Sequence, residues 1–169
     1  MFHLFKTWSY HRKPWFVLAL SSIAFELAAL YFQYGKKLDP CVMCIYERTA
    51  MLGILISALI ALISPQNIVF RFIGAIGFVV ASSSGLTLAW QHTQIQLHPS
   101  PFDVCSPYAH FPAWLKLDQW FPWMFQPKGD CSVIVWQMFN WSMPQWLILS
   151  FVIYLLIAVM VLFSQFRGR

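Results

Sequence analysis

The sequence predicts an all-α integral membrane protein, a bundle of four transmembrane helices with one long loop on the outer side. Composition is the first ground. Of 169 residues, 59% are apolar, 18% aromatic and only 10% charged, whereas a soluble domain carries about 25% charged residues. Too few charges are present to cover a water-soluble globule of this size. The second ground is length: stretches 14–34, 45–63, 72–91 and 145–164 are each apolar over the roughly 20 residues that a helix needs to cross about 30 Å of hydrocarbon. The third is the distribution of proline, with seven of the ten falling between 92 and 144, where no span is expected. The same figures exclude a disordered chain, a collagen and, despite a formal charge of +5, a nucleic-acid binder. The expectation is one four-helix membrane domain over 1–169.

The first span carries a basic flank of Lys6, Arg12 and Lys13. It is too long for a signal peptide and has no small-residue cleavage site, so it reads as a retained span. Its one charged residue, Glu26, lies near the midplane, where a carboxyl is costly and turns toward the bundle interior, to pair with a polar group on a neighbouring span or to assist protons moving to an electron acceptor. A short connector, 35–44, leads into the second span, which carries Glu47 and Arg48 in its first turn. In the third span Gly77, Ala81 and Gly85 recur every four residues, with Gly74 and Ser82 to Ser84 nearby. Small residues at that spacing let helices approach closely in lipid. Within the long loop, 92–144, the stretch 113–124 places Ala113, Trp114, Leu117, Trp120, Phe121 and Met124 on one helical face, opposite Lys116, Asp118 and Gln119. This predicts a short amphipathic helix lying on the membrane surface, curtailed by Pro122. The fourth span closes the bundle.

Charge sets the orientation. The N-terminal tail, the 64–71 connector and the C-terminal tail hold Lys6, Arg12, Lys13, Arg71, Arg167 and Arg169 without an acidic residue. The other side holds Lys36, Lys37, Lys116 and Lys128, offset by Asp39, Asp103, Asp118 and Asp130 over more than twice the length. The positive-inside rule therefore puts both termini in the cytoplasm and loops 35–44 and 92–144 outside.

All four cysteines fall on that outer side. An even count there points to an oxidising compartment, the periplasm of a bacterial chain, and to two disulfides. Cys41 and Cys44 form Cys-Val-Met-Cys at the head of the second span. So small a ring constrains little unfolded chain, which favours thiol–disulfide exchange over a structural staple. The positive end of the following helix faces the sulfurs and favours the reactive thiolate. A disulfide between Cys105 and Cys131 would close a loop worth about 3 kcal/mol in the chain-entropy model. Beside an exposed Cys-x-x-Cys, an exchange relay is the better reading of that second pair. A four-cysteine zinc site fits neither the spacing of the second pair nor the oxidising side, so no metal is expected. Covalent haem needs His directly after the second cysteine, where Ile45 stands.

Electrons passed between dithiols need a final acceptor. No Gly-x-Gly-x-x-Gly marks a nucleotide site, and only His92 lies near a span as a haem ligand. A quinone dissolved in the bilayer remains. Arg48, four residues after Cys44 and seven after Cys41, stacks on the cysteine face of the helix. There it can donate to a quinone carbonyl and stabilise charge arising on reduction, or it can anchor to lipid paired with Glu47. His92, at the outer end of the third span, can supply a proton or hydrogen bond near the same place.

The motifs as a set resemble those of the bacterial disulfide bond formation protein B (DsbB) family over nearly the whole chain. Residues 40–48 read Pro-Cys-Val-Met-Cys-Ile-Tyr-Glu-Arg, 99–105 Pro-Ser-Pro-Phe-Asp-Val-Cys, 129–131 Gly-Asp-Cys and 143–146 Met-Pro-Gln-Trp. The resemblance implies a membrane thiol:quinone oxidoreductase in the bacterial inner membrane, with ubiquinone or menaquinone as cofactor and a periplasmic DsbA-like thiol oxidase as partner. It implies an order too: the partner attacks Cys105, Cys131 exchanges with Cys41, and Cys44 passes electrons to the quinone beside Arg48. DsbA-type partners sit near −120 mV, so their reoxidation needs a sink more oxidising than NAD or glutathione. Two further readings stand beside this one: a relative of the same chemistry with a dedicated partner, and a non-enzymatic membrane scaffold held by two structural disulfides.

Overall fold

A computed structural model describes residues 9–99, 106 and 108–166. Four long helices dominate them. Helix α1, Arg12–Leu30, runs on into a π-helical turn, Tyr31–Gly35. Helices α2 and α3 span Val42–Ile63 and Ile68–Leu97. In the long loop come two single turns, α4 (Leu117–Trp120) and α5 (Pro122–Phe125), then a hairpin of β1 (Gln137–Met138) and β2 (Trp141–Ser142). Helix α6, Met143–Phe166, completes the bundle. All four long helices are apolar enough to cross a membrane, and the chain is a multi-pass membrane protein.

The helix bounds depart from the hydropathy reading for local reasons. Helix α2 starts at Val42 rather than Ile45, because Cys41 caps it: its Sγ accepts a hydrogen bond from the Cys44 amide at 3.3 Å. Helix α3 starts before Phe72 because the Asn67 side chain caps it through the Val69 amide. Its 30 residues extend about 45 Å at the helical rise, so it outreaches the hydrocarbon and carries His92 past the apolar stretch. Arg71, assigned to a connector from the sequence, lies inside α3 and is buried. It donates to Gln165 Oε1 and to the Pro65 carbonyl and stacks on Tyr10.

The predicted surface helix over 113–124 is broken. Ala113 and Trp114 precede it in a turn, and α4 and α5 meet at Phe121, whose backbone (φ −132°, ψ 62°) is not helical. Pro122 disfavours helical geometry in the residue before it and has no N–H to continue the ladder. Trp114, Trp120, Phe121 and Trp123 nonetheless stay exposed. The hairpin has no counterpart in the sequence reading. Its two-residue loop, Phe139 and Asn140, takes left-handed φ of 53° and 63°, the geometry whose twist matches paired strands.

Helix α3 is the hub, packing on α2 and α6, while α1 packs on α2. Its small residues serve that purpose. A Cβ on Gly85 would run into the Phe151 ring of α6, and one on Gly74 into Ala61 and the Ser57 carbonyl of α2. The core follows this seam, with Met51, Ile54, Phe78, Phe151 and Tyr154 buried together. The Tyr154 hydroxyl donates to Ser21 Oγ and ties α6 to α1. At one end of the bundle Gln165 donates to Ser9 Oγ while accepting from Arg71. Both ends of the described chain therefore lie together, opposite the cysteines.

Candidate functional site

The cysteine-bearing end is built where the long loop closes over the heads of α1, α2 and α3. Cys41 Sγ and Cys44 Sγ are 2.8 Å apart as free thiols, closer than non-bonded sulfurs sit and poised for a bond of about 2.05 Å. Cys41 Sγ stands at the N-terminus of α2, where it accepts from the Cys44 amide in the positive end of the helix dipole. Cys41 is buried and Cys44 half-buried.

Cys131 is fully buried, packs against Cys41, Val42 and Met43, and is itself disulfide-bonded. Its approach is held by backbone: the Lys128 and Gly129 amides both donate to the Pro40 carbonyl, at 2.9 and 3.0 Å. Only glycine fits at 129, where a Cβ would collide with the Asp39 carbonyl oxygen. One residue on, the Ser132 amide and hydroxyl donate to Asp130 Oδ1 at 2.9 Å, and these donors hold that exposed carboxyl below the usual range. The turn is therefore firm at neutral pH and loosens as pH falls through that carboxyl's own titration. Cys105, the fourth cysteine singled out by sequence, lies outside the described residues.

Arg48 is buried one turn below Cys44. One guanidinium nitrogen donates to Gln33 Oε1 at 3.0 Å and to the Met124 carbonyl at 2.6 Å. Arg48 Nε faces Glu26 Oε2 at 3.8 Å, an ion pair too long for a hydrogen bond. Glu26 thus finds its polar partner on a neighbouring helix. The alternative pairing of Arg48 with Glu47 does not form, because consecutive helical residues diverge by about 100°. Glu47 turns instead to α3, where its Oε1 meets His92 Nδ1 at 2.9 Å. The other ring nitrogen, Nε2, lies 3.6 Å from Cys41 Sγ. The structure thus brings Cys41, Cys44, Arg48 and His92 together with Cys131.

Sequence reasoning missed Gln33, Glu47 and the Met124 carbonyl as parts of this site. Gln33 sits in the π-helical turn, a distortion that often marks functional positions. Its amide also donates to the Trp123 carbonyl, as does the Tyr34 hydroxyl, so the turn docks the loop beside Arg48. The one available signal was Gln33 itself, a long polar side chain inside an apolar span. On the other flank the His110 amide donates to the Tyr46 hydroxyl, and Phe111 stacks edge-on against Tyr46.

Two tests of fit follow from these atoms. For a metal, Cys41, Cys44 and His92 bring three donor atoms within 4.8 Å of one another. Two thiolates on a tetrahedral zinc stand about 3.8 Å apart, given Zn–S bonds of about 2.3 Å, so the observed sulfur spacing suits disulfide chemistry better. For a quinone, both Glu26 oxygens and Arg48 Nε are buried without a hydrogen-bond partner. A guanidinium with unused donors one turn from a half-buried cysteine suits a carbonyl oxygen on an apolar ring.

Comparison with known proteins bears on the same residues. The family model described as disulfide bond formation protein DsbB matches residues 11–161. Among curated relatives, disulfide bond formation protein B of Vibrio parahaemolyticus is 51% identical over 152 residues, 90% of this chain and 85% of that one. The protein of that name from Psychromonas ingrahamii is 49% identical over 156 residues, 92% of this chain and 84% of the other. The Mannheimia succiniciproducens one is 46% identical over 168 residues, 99% of this chain and 94% of its own.

Proposed function

The chain belongs to the disulfide bond formation protein B family, and from that premise we propose that this disulfide-forming membrane oxidoreductase is a thiol:quinone oxidoreductase. It reoxidises a DsbA-like thioredoxin-fold partner in the periplasm and delivers the electrons to a membrane quinone, a ubiquinone or a menaquinone. The carrying observation is the pair of sulfurs at 2.8 Å on the head of a membrane-spanning helix, with buried Arg48 one turn below.

In this reading Cys105 and Cys131 form the outer disulfide. The reduced partner's thiolate attacks Cys105, which frees Cys131. Cys131 needs little movement to reach Cys41, because the Pro40 carbonyl already holds its segment against the head of α2. Attack on Cys41 leaves Cys44 as the thiolate. The partner's second thiol then displaces Cys105 and the partner leaves oxidised, while Cys105 takes back Cys131 and releases the Cys41 thiol. A bound quinone supplies the two-electron acceptor. Arg48 would donate to its carbonyl oxygen and Cys44 would pass it the electrons, while His92 stands on the Cys41 side with a nitrogen able to carry a proton. Glu26 keeps Arg48 oriented from the bundle interior, while Gln33 and the Met124 carbonyl hold it from the loop side. The Lys and Arg asymmetry supports placement in the bacterial inner membrane with both termini in the cytoplasm.

The test uses the full-length protein in detergent, mixed with a reduced DsbA-like protein and a soluble quinone. Quinone absorbance falls as partner disulfide appears, in equal amounts. Unchanged rates in Cys44→Ser or Cys105→Ser would overturn the relay. The scaffold reading predicts instead that both cysteine pairs stay oxidised in cells deprived of quinone.

A further inference from the structure

The route above leaves buried Glu47, the partner of His92, without a task. Glu47 and His92 are 3% and 2% exposed, sit on different helices and meet at 2.9 Å. Two ionisable side chains taken out of water are costly where an apolar contact would join α2 to α3 as well. Their geometry gives a reason for keeping them. In the tautomer whose Nδ1–H donates to the carboxylate, the neutral ring carries its lone pair at Nε2. That atom lies 3.6 Å from Cys41 Sγ. The order carboxylate, imidazole, thiol is the arrangement that activates a cysteine nucleophile.

We propose that Glu47 is a positioning residue that fixes His92 as the proton acceptor for the Cys41 thiol. The inference rests on the quinone-coupled reading for its oxidant. The Cys41 S–H bond breaks and its proton goes to His92 Nε2, while the imidazolium formed is held by the Glu47 carboxylate. The Cys41 thiolate then bonds to the Cys44 sulfur. Two thiols become one disulfide, and the two electrons and two protons released convert the quinone to its hydroquinone. One of those protons returns from His92, so the pair ends as it began. The titratable groups that face the imidazole are Glu47, Cys41 and Cys44 from α2 and, from the loop, disulfide-bonded Cys131, whose backbone also reaches the ring. Arg48 is engaged with Glu26 of α1 one turn further on.

The test needs no quinone, so its failure is distinct from failure of the quinone reading, which quinone consumption reports. In full-length Cys44→Ser protein, reduced and freed of reductant, the rate of Cys41 alkylation by iodoacetamide is followed by mass spectrometry across pH. Adding Glu47→Gln lowers the rate at pH 7 about tenfold, His92→Phe does the same, and Glu47→Asp restores part of it. At alkaline pH, where hydroxide removes the proton unaided, all four proteins react alike. Equal rates at pH 7 with and without Glu47→Gln would overturn the proposal. So would a deficit that persists at alkaline pH, because it would report lost access or packing rather than a lost base.

Discussion

Arg48 concentrates what the site asks of a single side chain. It is buried, ion-paired with Glu26 and bonded to Gln33 and the Met124 carbonyl, yet it keeps unpaired donors. A hydrogen bond to a charged group contributes about 1.5–3 kcal/mol, so Arg48→Ala raises the KM for quinone by about tenfold to a hundredfold. The KM for the partner protein hardly changes. Arg48→Lys keeps the charge but loses the planar fork and recovers only part of the difference. Steady-state titration with each substrate separates the two constants. The placement of residues that rests on their own identity and local spacing was legible in the sequence: the Cys-Val-Met-Cys pair at a helix head, Arg48 one turn on and Glu26 in an apolar span. The partners of those residues were not. Gln33 lies 15 residues from Arg48, Met124 lies 76 away, and Glu47 lies 45 from His92. No local period encodes such distances.

At the scale of elements, the loop is held onto the helix heads through its own backbone groups, which meet the Pro40 carbonyl and the side chains of Gln33, Tyr34, Tyr46 and Arg48. Gly129 is the tightest point. Gly129→Ala pushes a methyl group at the Asp39 carbonyl and loosens the two amides that bond Pro40. Exchange between Cys131 and Cys41 then slows, measured as the rate at which reduced partner is oxidised, while quinone affinity is retained. In the bundle, Gly85→Leu would overlap the Phe151 ring, and overpacking of this kind costs about 1–3 kcal/mol. A lower midpoint of thermal unfolding in detergent, with wild-type quinone affinity in the protein that stays folded, is the expected result. The small-residue pattern of α3 was legible because its four-residue spacing repeats along one helix. The break at Phe121 was only half legible. Pro122 announced an end to helix, but the periodicity of the surrounding aromatics masked that two separate turns would form. The hairpin was illegible because Phe139 and Asn140 form its left-handed turn without glycine.

For the molecule as a whole, four long helices return both described ends of the chain to one end of the bundle and collect the described cysteines at the other. Thiol labelling in intact cells should reach cysteines introduced at neither terminus but should reach one introduced at Lys116. Fold class was legible from hydropathy and charge because a bilayer leaves so few ways to satisfy a backbone. The closure of the loop was not, because it depends on contacts between segments far apart in sequence. The most direct measurement of the central claim is a single anaerobic turnover. Reduced full-length protein, mixed with one equivalent of quinone and no partner, should form one hydroquinone for each Cys41–Cys44 disulfide that appears. A quinone left unreduced, or reduced as fast by Cys44→Ser, would contradict it.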